Sequence, residues 1–420
     1  MKTKLRIFWN KLRQRLWFRP FLFCVIAVVM ALLAKSADGT FLDDWVPEIK
    51  ESSVKWLLDT IASSMLVISI FAVTSMLSAF AAAQTMATPR SFKLVISDDV
   101  SQNALSVFIS AFIFGIVGSV AINNNYFGVS GRFVLFIFAL AFFALIILVF
   151  LRWVDRISRL GRLEHTIDQI EDVTADVLIG RIKNPGLGAM PIDKSKPNGT
   201  AIFSLESGYV QNINLSRLQS FAAKKKLTIR VNALPGRSVH PGEPIAYIQV
   251  AKPIEKEEVI ESINKAFIIG RSRDFESDPQ FGLIALSEIS SRALSPGIND
   301  PGTAIQILST LERLFLLWDQ YDEVKEEEIR YDRIEVPVLS IETLFVDAFR
   351  PTARDGAGNI EVMIRMQKVF STLYMMQYES IRKAALKHSE LCYKRAEPAM
   401  NQEQDLEALK RSCLFLKINE

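Results

Sequence analysis

The stretch from Arg271 to Ala304 holds the chain's densest set of side chains able to do chemistry. It carries Arg271, Arg273, Asp274, Glu276, Asp278, Glu288 and Arg292, followed by the turn Ser295-Pro296-Gly297-Ile298-Asn299-Asp300-Pro301. Carboxylates and guanidinium groups at this spacing could form an acid/base set, a ligand- or ion-binding cluster, or a salt-bridge network that fixes two helices. Glu288 and Arg292 stand four apart and can pair on one helix face. Pro296 and Gly297 break a helix, and Asp300 can cap the next one. An exposed helix start of that kind can also hold an anion. The candidate cluster is therefore Arg271, Arg273, Asp274, Glu288, Arg292, Asn299 and Asp300. No catalytic signature joins it: there is no P-loop, GxSxG, HExxH or GxGxxG. No catalytic residue and no cofactor is assigned. The 3 cysteines (Cys24, Cys392, Cys413) form no CxxC and the 3 histidines lie far apart, so neither a disulfide framework nor a metal site is expected.

The elements that must position this cluster read as helices. Glu257–Ile269 reads as one helix. A second runs from Asp278 to Leu294, with Asp278 as cap, Pro279 in the first turn and Phe281, Ile284, Leu286 and Ile289 on its apolar side. Asp300-Pro301 opens a third, to about Trp318. Glu323–Arg333 reads as a charged connector, Ser340 caps a helix to Phe349, Asn359–Tyr393 reads as one long helix and Asp405–Leu416 as a terminal one. Before them, Ala201–Leu205, Gly208–Ile213, Leu227–Asn232 and Ile245–Val250 read as strands, with a helical Leu215–Lys224 between them. The Ser207-Gly208-Tyr209-Val210 strand and the later turn with Pro235-Gly236, Val239, Gly242 and Pro244-Ile245 resemble the barrel-sandwich hybrid of biotinyl and lipoyl carriers. No lysine sits at a hairpin tip between small residues, so covalent cofactor attachment is not implied.

The first third of the chain has a different composition. Half of all 420 residues are hydrophobic although 23% are charged, a mixture that divides the chain between membrane and water. Four apolar runs are long enough to span a bilayer, at about 18–34, 57–83, 104–122 and 133–151. The basic N-terminal stretch before the first run fits an uncleaved signal-anchor helix. The second run places Ser64, Ser75, Ser78 and Ala82 on one helical face. That face suits close helix packing, or the lining of a permeation path. The third repeats Ala111, Gly115 and Ser119 every four residues, a small-residue packing face, and the fourth looks lipid-facing. Arginines and lysines concentrate before the first run and after the fourth, which places both termini in the cytoplasm. Arg152–Ile182 then reads as a helix with a seam of Leu160, Leu163, Ile167, Ile170, Thr174 and Val177. Such a seam can join protomers or pack on the chain's own cytosolic domain.

The expected architecture is a multi-pass α-helical membrane domain of four spans followed by a cytosolic α+β domain. Its parts are a transmembrane domain over 1–151, a juxtamembrane helix over 152–182, a small barrel-sandwich-like β module over 183–252 and a helical cytosolic domain over 253–420.

Two stretches identify relatives. One is Thr88-Pro89-Arg90 with Asp98, Asp99, Gln102 and Leu105-Ser106-Val107-Phe108. The other is Phe281-Gly282 followed by Arg292-Ala293-Leu294-Ser295-Pro296-Gly297-Ile298-Asn299-Asp300-Pro301 and Thr303-Ala304. Together with the Gly208 strand they resemble a bacterial family of membrane proteins, the domain of unknown function 2254 family, over roughly residues 15 to 400. Thr88 and Ser106 depart from the Ser and Gly of that pattern. The resemblance implies a bacterial cytoplasmic-membrane protein with a cytosolic domain and supplies no catalytic residues.

Three functions remain open at this point. The first is an oligomeric channel or transporter-like assembly with a cytosolic sensing or gating domain. The second is a non-transporting membrane scaffold or ligand sensor, and the last is a membrane-tethered enzyme. The expected partners are the lipid bilayer and further copies of the chain, with the small-molecule or ion ligand unassigned. A net charge of +3 gives no argument for nucleic acid.

Overall fold

The computed structural model describes residues 17–40, 45–86, 88–90, 94, 99–192, 199–250, 256–321 and 329–419, which fall into two compact units, Met1–Thr166 and Ile167–Glu420. Lys2–Arg15 of the basic N-terminal stretch, Asp98, and residues 322–328 of the expected connector lie outside the described residues.

The first unit is built on four helices: α1 (Phe18–Leu33), α2 (Glu51–Met86), α3 (Asp99–Asn123) and α4 (Val129–Arg159). Each is long and apolar enough to cross a membrane. In hydrocarbon a backbone can satisfy its own polar groups only as a helix or a closed barrel, so apolar runs of this length become helices. The helices outlast their apolar runs. α2 starts at Glu51 rather than near 57, and α4 ends at Arg159 rather than at 151.

α3 is the central helix, packing against α1, α2 and α4. Its expected small-residue face explains how. A Cβ placed on Gly115 would stand 2.7 Å from the Leu58 carbonyl oxygen and 2.9 Å from the Ala62 methyl of α2. Four residues on, Ser119 Oγ donates to Asp59 Oδ1 at 2.6 Å. The ends of the unit are pinned by polar contacts. Arg19 at the start of α1 donates to Asp99 Oδ1 (2.5 Å) and Asn103 Oδ1 (2.9 Å) at the start of α3. Asp38 accepts the Gly128 and Gly131 N–H groups (2.7 and 2.6 Å), so its carboxylate neutralises the free amides that open α4. Phe108, Phe114, Leu135 and Trp153 fill the interior.

The expected single helix over Arg152–Ile182 is two. α4 stops at Arg159, Gly161 takes φ +127°, and α5 (Leu163–Lys183) begins anew. A positive φ in that range ends a right-handed helix, and glycine is the residue that adopts it without strain. The seam is broken with it. Leu160 packs with Met76 and Phe80 in the first unit, while Ile167, Ile170, Thr174 and Leu178 are among the buried positions of α5. Leu178 takes the place expected for Val177.

The second unit contains two sheets. The larger has the order β1–β8–β4–β6–β2, from Ala189–Ile192, Tyr331–Pro337, Leu227–Val231, Pro244–Val250 and Thr200–Phe203. The β1–β8 and β8–β4 pairs are parallel and the rest antiparallel. The smaller is antiparallel, β5–β3–β7, from Ser238–Val239, Gly208–Ile213 and Phe267–Gly270. Helix α6 (Leu215–Lys225) buries Leu215, Leu218 and Ala222 and packs on β4 and β8.

Two expectations fail here. The expected helix over Glu257–Ile269 stops at Asn264 as α7 (Lys256–Asn264), and its apolar end is strand β7. Asn264 turns the chain: its side chain donates to the Phe203 carbonyl (3.0 Å) and accepts the Leu205 N–H (2.9 Å). The expected charged connector contributes β8, in which Ile334 and Val336 are buried and Asp332, Arg333 and Glu335 are not.

The rest is helical: α8 (Pro279–Ala293), α9 (Pro301–Tyr321), α10 (Ile341–Asp355), α11 (Ile360–Tyr374), α12 (Glu379–Ala396), α13 (Glu403–Ser412) and α14 (Leu414–Asn419). The long helix expected over Asn359–Tyr393 is broken between Tyr374 and Glu379, and the terminal one at Cys413. Phe315, Phe345, Phe349 and Phe370 form the aromatic centre of this bundle. α5 belongs to it as well. Glu171 accepts two bonds from Arg313 (2.7 and 2.6 Å), and Thr174 lies so close to Gly282 that a Cβ there would meet its Oγ1 at 1.8 Å.

Candidate functional site

A cavity of about 660 Å³ opens in the second unit where the end of β4, the Leu234–Ser238 turn and the starts of α8 and α10 converge. Its organising contact is an ion pair five residues apart in sequence. Arg273 Nε and Nη2 donate to Asp278 Oδ2 and Oδ1 at 2.6 and 2.9 Å, a bidentate fork. Asp278 is 2% exposed and doubles as the cap of α8, accepting the Phe281 N–H at 3.2 Å. The Arg273 guanidinium also lies 5.5 Å from the centre of the Phe281 ring. Gly236 closes the pair from the other side: with φ +90°, it sits where a Cβ would be 2.3 Å from Asp278 Oδ2 and 2.7 Å from Arg273 Nη2.

The electrostatics are uneven. Burial pushes the Asp278 carboxyl above the usual carboxylate range, against the opposing pull of Arg273. Burial does the same to Asp347 on α10, again against Arg273. Arg230 and Arg237 line the cavity, Arg237 held by Glu243 at 2.8 Å. The start of α10 is capped by a neutral group: Ser340 Oγ accepts the Thr343 N–H at 3.4 Å and its hydroxyl at 3.0 Å. The start of α8 is already neutralised by Asp278, and that of α10 carries no carboxylate facing the cavity. Glu342 is engaged instead with Lys387 at 2.6 Å. The lining therefore offers guanidinium, hydroxyl and amide donors to a small polar or anionic molecule. The bidentate pair is spent on holding the walls together.

The sequence cluster divides between two places. Arg273 braces the cavity wall through its pair with Asp278. Asp274 instead accepts the Glu276 N–H (3.0 Å) in the local turn, and Arg271 is exposed. Glu288 and Arg292 lie half-buried one turn apart along α8. Asn299 and Asp300 lie beyond the far end of that 15-residue helix, about 22 Å long. Asn299 adopts φ +49°, and Asp300 caps α9 by accepting the Thr303 N–H (3.1 Å) and hydroxyl (2.6 Å). Those two bonds hold the Asp300 carboxyl below its usual range. The exposed Pro296–Asp300 turn is thus a helix stop and start.

In the first unit, Ser64 and Ser78 are exposed and Ser75 half-buried on α2. Their neighbours Ser63, Ser69 and Thr74 donate to carbonyls of their own helix. At the junction, Asp99 pairs with Arg19, Gln102 is buried on α3 and Arg90 is exposed.

Gly236, Arg230, Ser340 and Thr343 were not among the sequence candidates. Gly236 carried a signal as part of a Pro-Gly turn, but nothing local linked that turn to Asp278, 42 positions later.

The chain belongs to the family described as predicted membrane protein (DUF2254), whose model matches residues 13–372. It is similar to an uncharacterized protein of Mycobacterium tuberculosis strain CDC 1551, 28% identical over 150 residues, which are 34% of this chain and 27% of that one. It is also similar to an uncharacterized protein of Mycobacterium bovis, 27% identical over the same length and shares. The matched region spans only about a quarter of those relatives. No solved structure matches the chain.

Proposed function

We propose that the chain is a membrane-anchored sensor of a small anionic molecule, which the second unit binds in the cavity at the starts of α8 and α10. The observation that carries this reading is the cavity itself. A space of about 660 Å³ is the size of a small-molecule site. It has arginines in its lining and a helix start whose cap is uncharged. Two capped helices and the Arg273–Asp278 fork fix its walls, so a ligand there would bear on the relative placement of α8 and α10. The test is calorimetric titration of the full chain in detergent with inorganic phosphate and succinate as probes. Saturable binding weakened at least tenfold by Arg230→Gln or Arg237→Gln supports the reading. No saturable binding of either probe refutes it.

A second reading, an oligomeric channel or transporter-like assembly, is favoured by the outward placement of Ser64 and Ser78 on an otherwise apolar helix. Hydroxyls facing away from the four-helix interior suit contact with further copies or a water path between them. Mass measurement in mild detergent and ion flux in liposomes test it. A monomer without flux excludes it.

A further inference from the structure

We propose that the first unit carries a headgroup site for an anionic glycerophospholipid, in a groove between α2 and the end of α4. The groove, about 510 Å³, is bounded by Phe71, Ser75 and Ser78 on α2 and by Ile157, Leu160 and Arg162 on the other side.

Three observations carry the assignment. The first is position. The charge-free part of α4, Phe133–Leu151, is 19 residues, about the thickness of a bilayer's hydrocarbon core, and it ends at Arg152. Trp153 follows at once and packs edge-on against Phe71 of α2, with ring centres 5.9 Å apart. The groove begins at that level and runs outward to Gly161, whose Cβ would stand 3.2 Å from the Ala79 carbonyl oxygen. It therefore lies where phosphate groups lie.

The second observation is charge. Arg162 lines the groove, at the end of a segment that also carries Arg152, Arg156 and Arg159, of which Arg159 is paired with Asp155. The third is unmet hydrogen-bonding capacity. Among the described residues, the Arg162 guanidinium and the Ser75 and Ser78 hydroxyls have no side-chain partner, although all three line the same groove. A serine in an apolar span usually bonds back to its own helix, as Ser69 and Thr74 do. A guanidinium and two hydroxyls around one space match the donors a phosphodiester accepts. Phe71, Ile157 and Leu160 supply an apolar wall for the upper acyl chains.

The test is native mass spectrometry of the full chain in mild detergent, titrated with phosphatidylglycerol and with phosphatidylcholine of the same acyl chains. The wild type is expected to keep phosphatidylglycerol in preference. Arg162→Gln should cut that preference roughly fivefold, the worth of one basic residue at an anionic surface. Ser78→Leu, which fills the groove with a lipid-compatible side chain, should abolish it, and Arg159→Gln should leave it unchanged. Equal retention of the two lipids overturns the proposal, as does a preference that survives both Arg162→Gln and Ser78→Leu. Displacement of the lipid by an equal concentration of glycerol phosphate would show a soluble phosphate site instead. Protomers cross-linked through Ser78→Cys, with no lipid adduct, would assign the groove to a second copy; either result refutes the lipid site.

Discussion

Replacing Gly236 by alanine isolates the contact on which the cavity is built. Gly236 and Gly242 lie six residues apart and both have positive φ, +90° and +105°. An L-residue at either position pays for the strained backbone, about 1–3 kcal/mol. They differ in what a side chain would meet. At Gly242 the nearest atom is His240 Nδ1 at 4.0 Å, an ordinary contact. At Gly236 a Cβ would lie 2.3 Å from Asp278 Oδ2 and 2.5 Å from its Cγ. An ordinary contact to that carboxyl needs more than 3 Å, so about 1 Å must be found by a nearly inaccessible carboxyl that is also a helix cap. Overpacking of this kind costs about 1–3 kcal/mol. Gly242→Ala should therefore destabilise the second unit by ~1–3 kcal/mol and Gly236→Ala by ~2–6, the sum of both terms. Urea unfolding of the full chain in detergent, followed by tryptophan fluorescence, measures the difference. Gly236→Ala should also weaken any anion binding that Gly242→Ala leaves intact. Equal destabilisation by the two substitutions would refute the claim that the turn is held against the ion pair.

Other consequences can be measured in the same way. Gly282→Ala drives a Cβ to 1.8 Å from Thr174 Oγ1 and should cost about 1–3 kcal/mol net of its helix propensity. Thr174→Ala in the same chain should recover about 1 kcal/mol or more of that loss, and strict additivity would mean α5 does not pack on α8. Asp38→Ala, which strips the start of α4 of its cap, should lower stability by about 0.5–2 kcal/mol. Gly131→Ala should do at least as much, because its Cβ would stand 2.7 Å from the same carboxylate; unchanged melting in both would refute the cap. The pH dependence has two opposite limbs. Asp300 is depressed by Thr303, so its contribution is present above the unfolded value of about 3.9 and is lost as pH falls through the lower folded value. Asp278 is raised by burial, so its contribution declines as pH rises from the unfolded value through the higher folded one. Asp300→Ala should flatten the acid limb of an unfolding series and Asp278→Asn the limb above it; a profile unchanged by either contradicts the assignment.

The membrane helices were legible because a charge-free run needs no tertiary information: its length against the bilayer decides the structure. Their ends were not. Glu51 sits comfortably in the first turn of α2, where a carboxylate meets free amides, so the apolar edge near residue 57 was no boundary. Strand β7 was misread because Phe267-Ile268-Ile269 suits a helix end and a strand equally by periodicity. Strand β8 was hidden by its charges. Asp332, Arg333 and Glu335 make it look like a connector, yet Ile334 and Val336 alternate with them and fill the sheet between β1 and β4. The cap roles of Asp278, Asp300 and Ser340 were readable, since each bonds within three residues of itself. The cavity was not, because its walls come from three places in the chain, near 236, 278 and 340, that only the fold brings together.

The same distinction bears on the polar face of α2. Read as a sequence, Ser64, Ser75 and Ser78 could have lined a path inside the four-helix unit. Within that unit, α3 occupies the centre, and Phe108, Phe114, Leu135 and Ala111 are fully inaccessible. Gly115 brings α3 to within contact of the α2 backbone, which leaves no room for water between them. The hydroxyls that face this interface, Ser119 and the buried Ser69, are already bonded. Ser64 and Ser78 point outward. A permeation path that uses them would have to be shared among copies of the chain, so conduction without oligomerisation is not an outcome this fold permits through that face. If the groove beside Ser78 holds a lipid headgroup, copies meeting there would compete with it. Lipid occupancy and assembly on this side of α2 are then coupled with opposite signs.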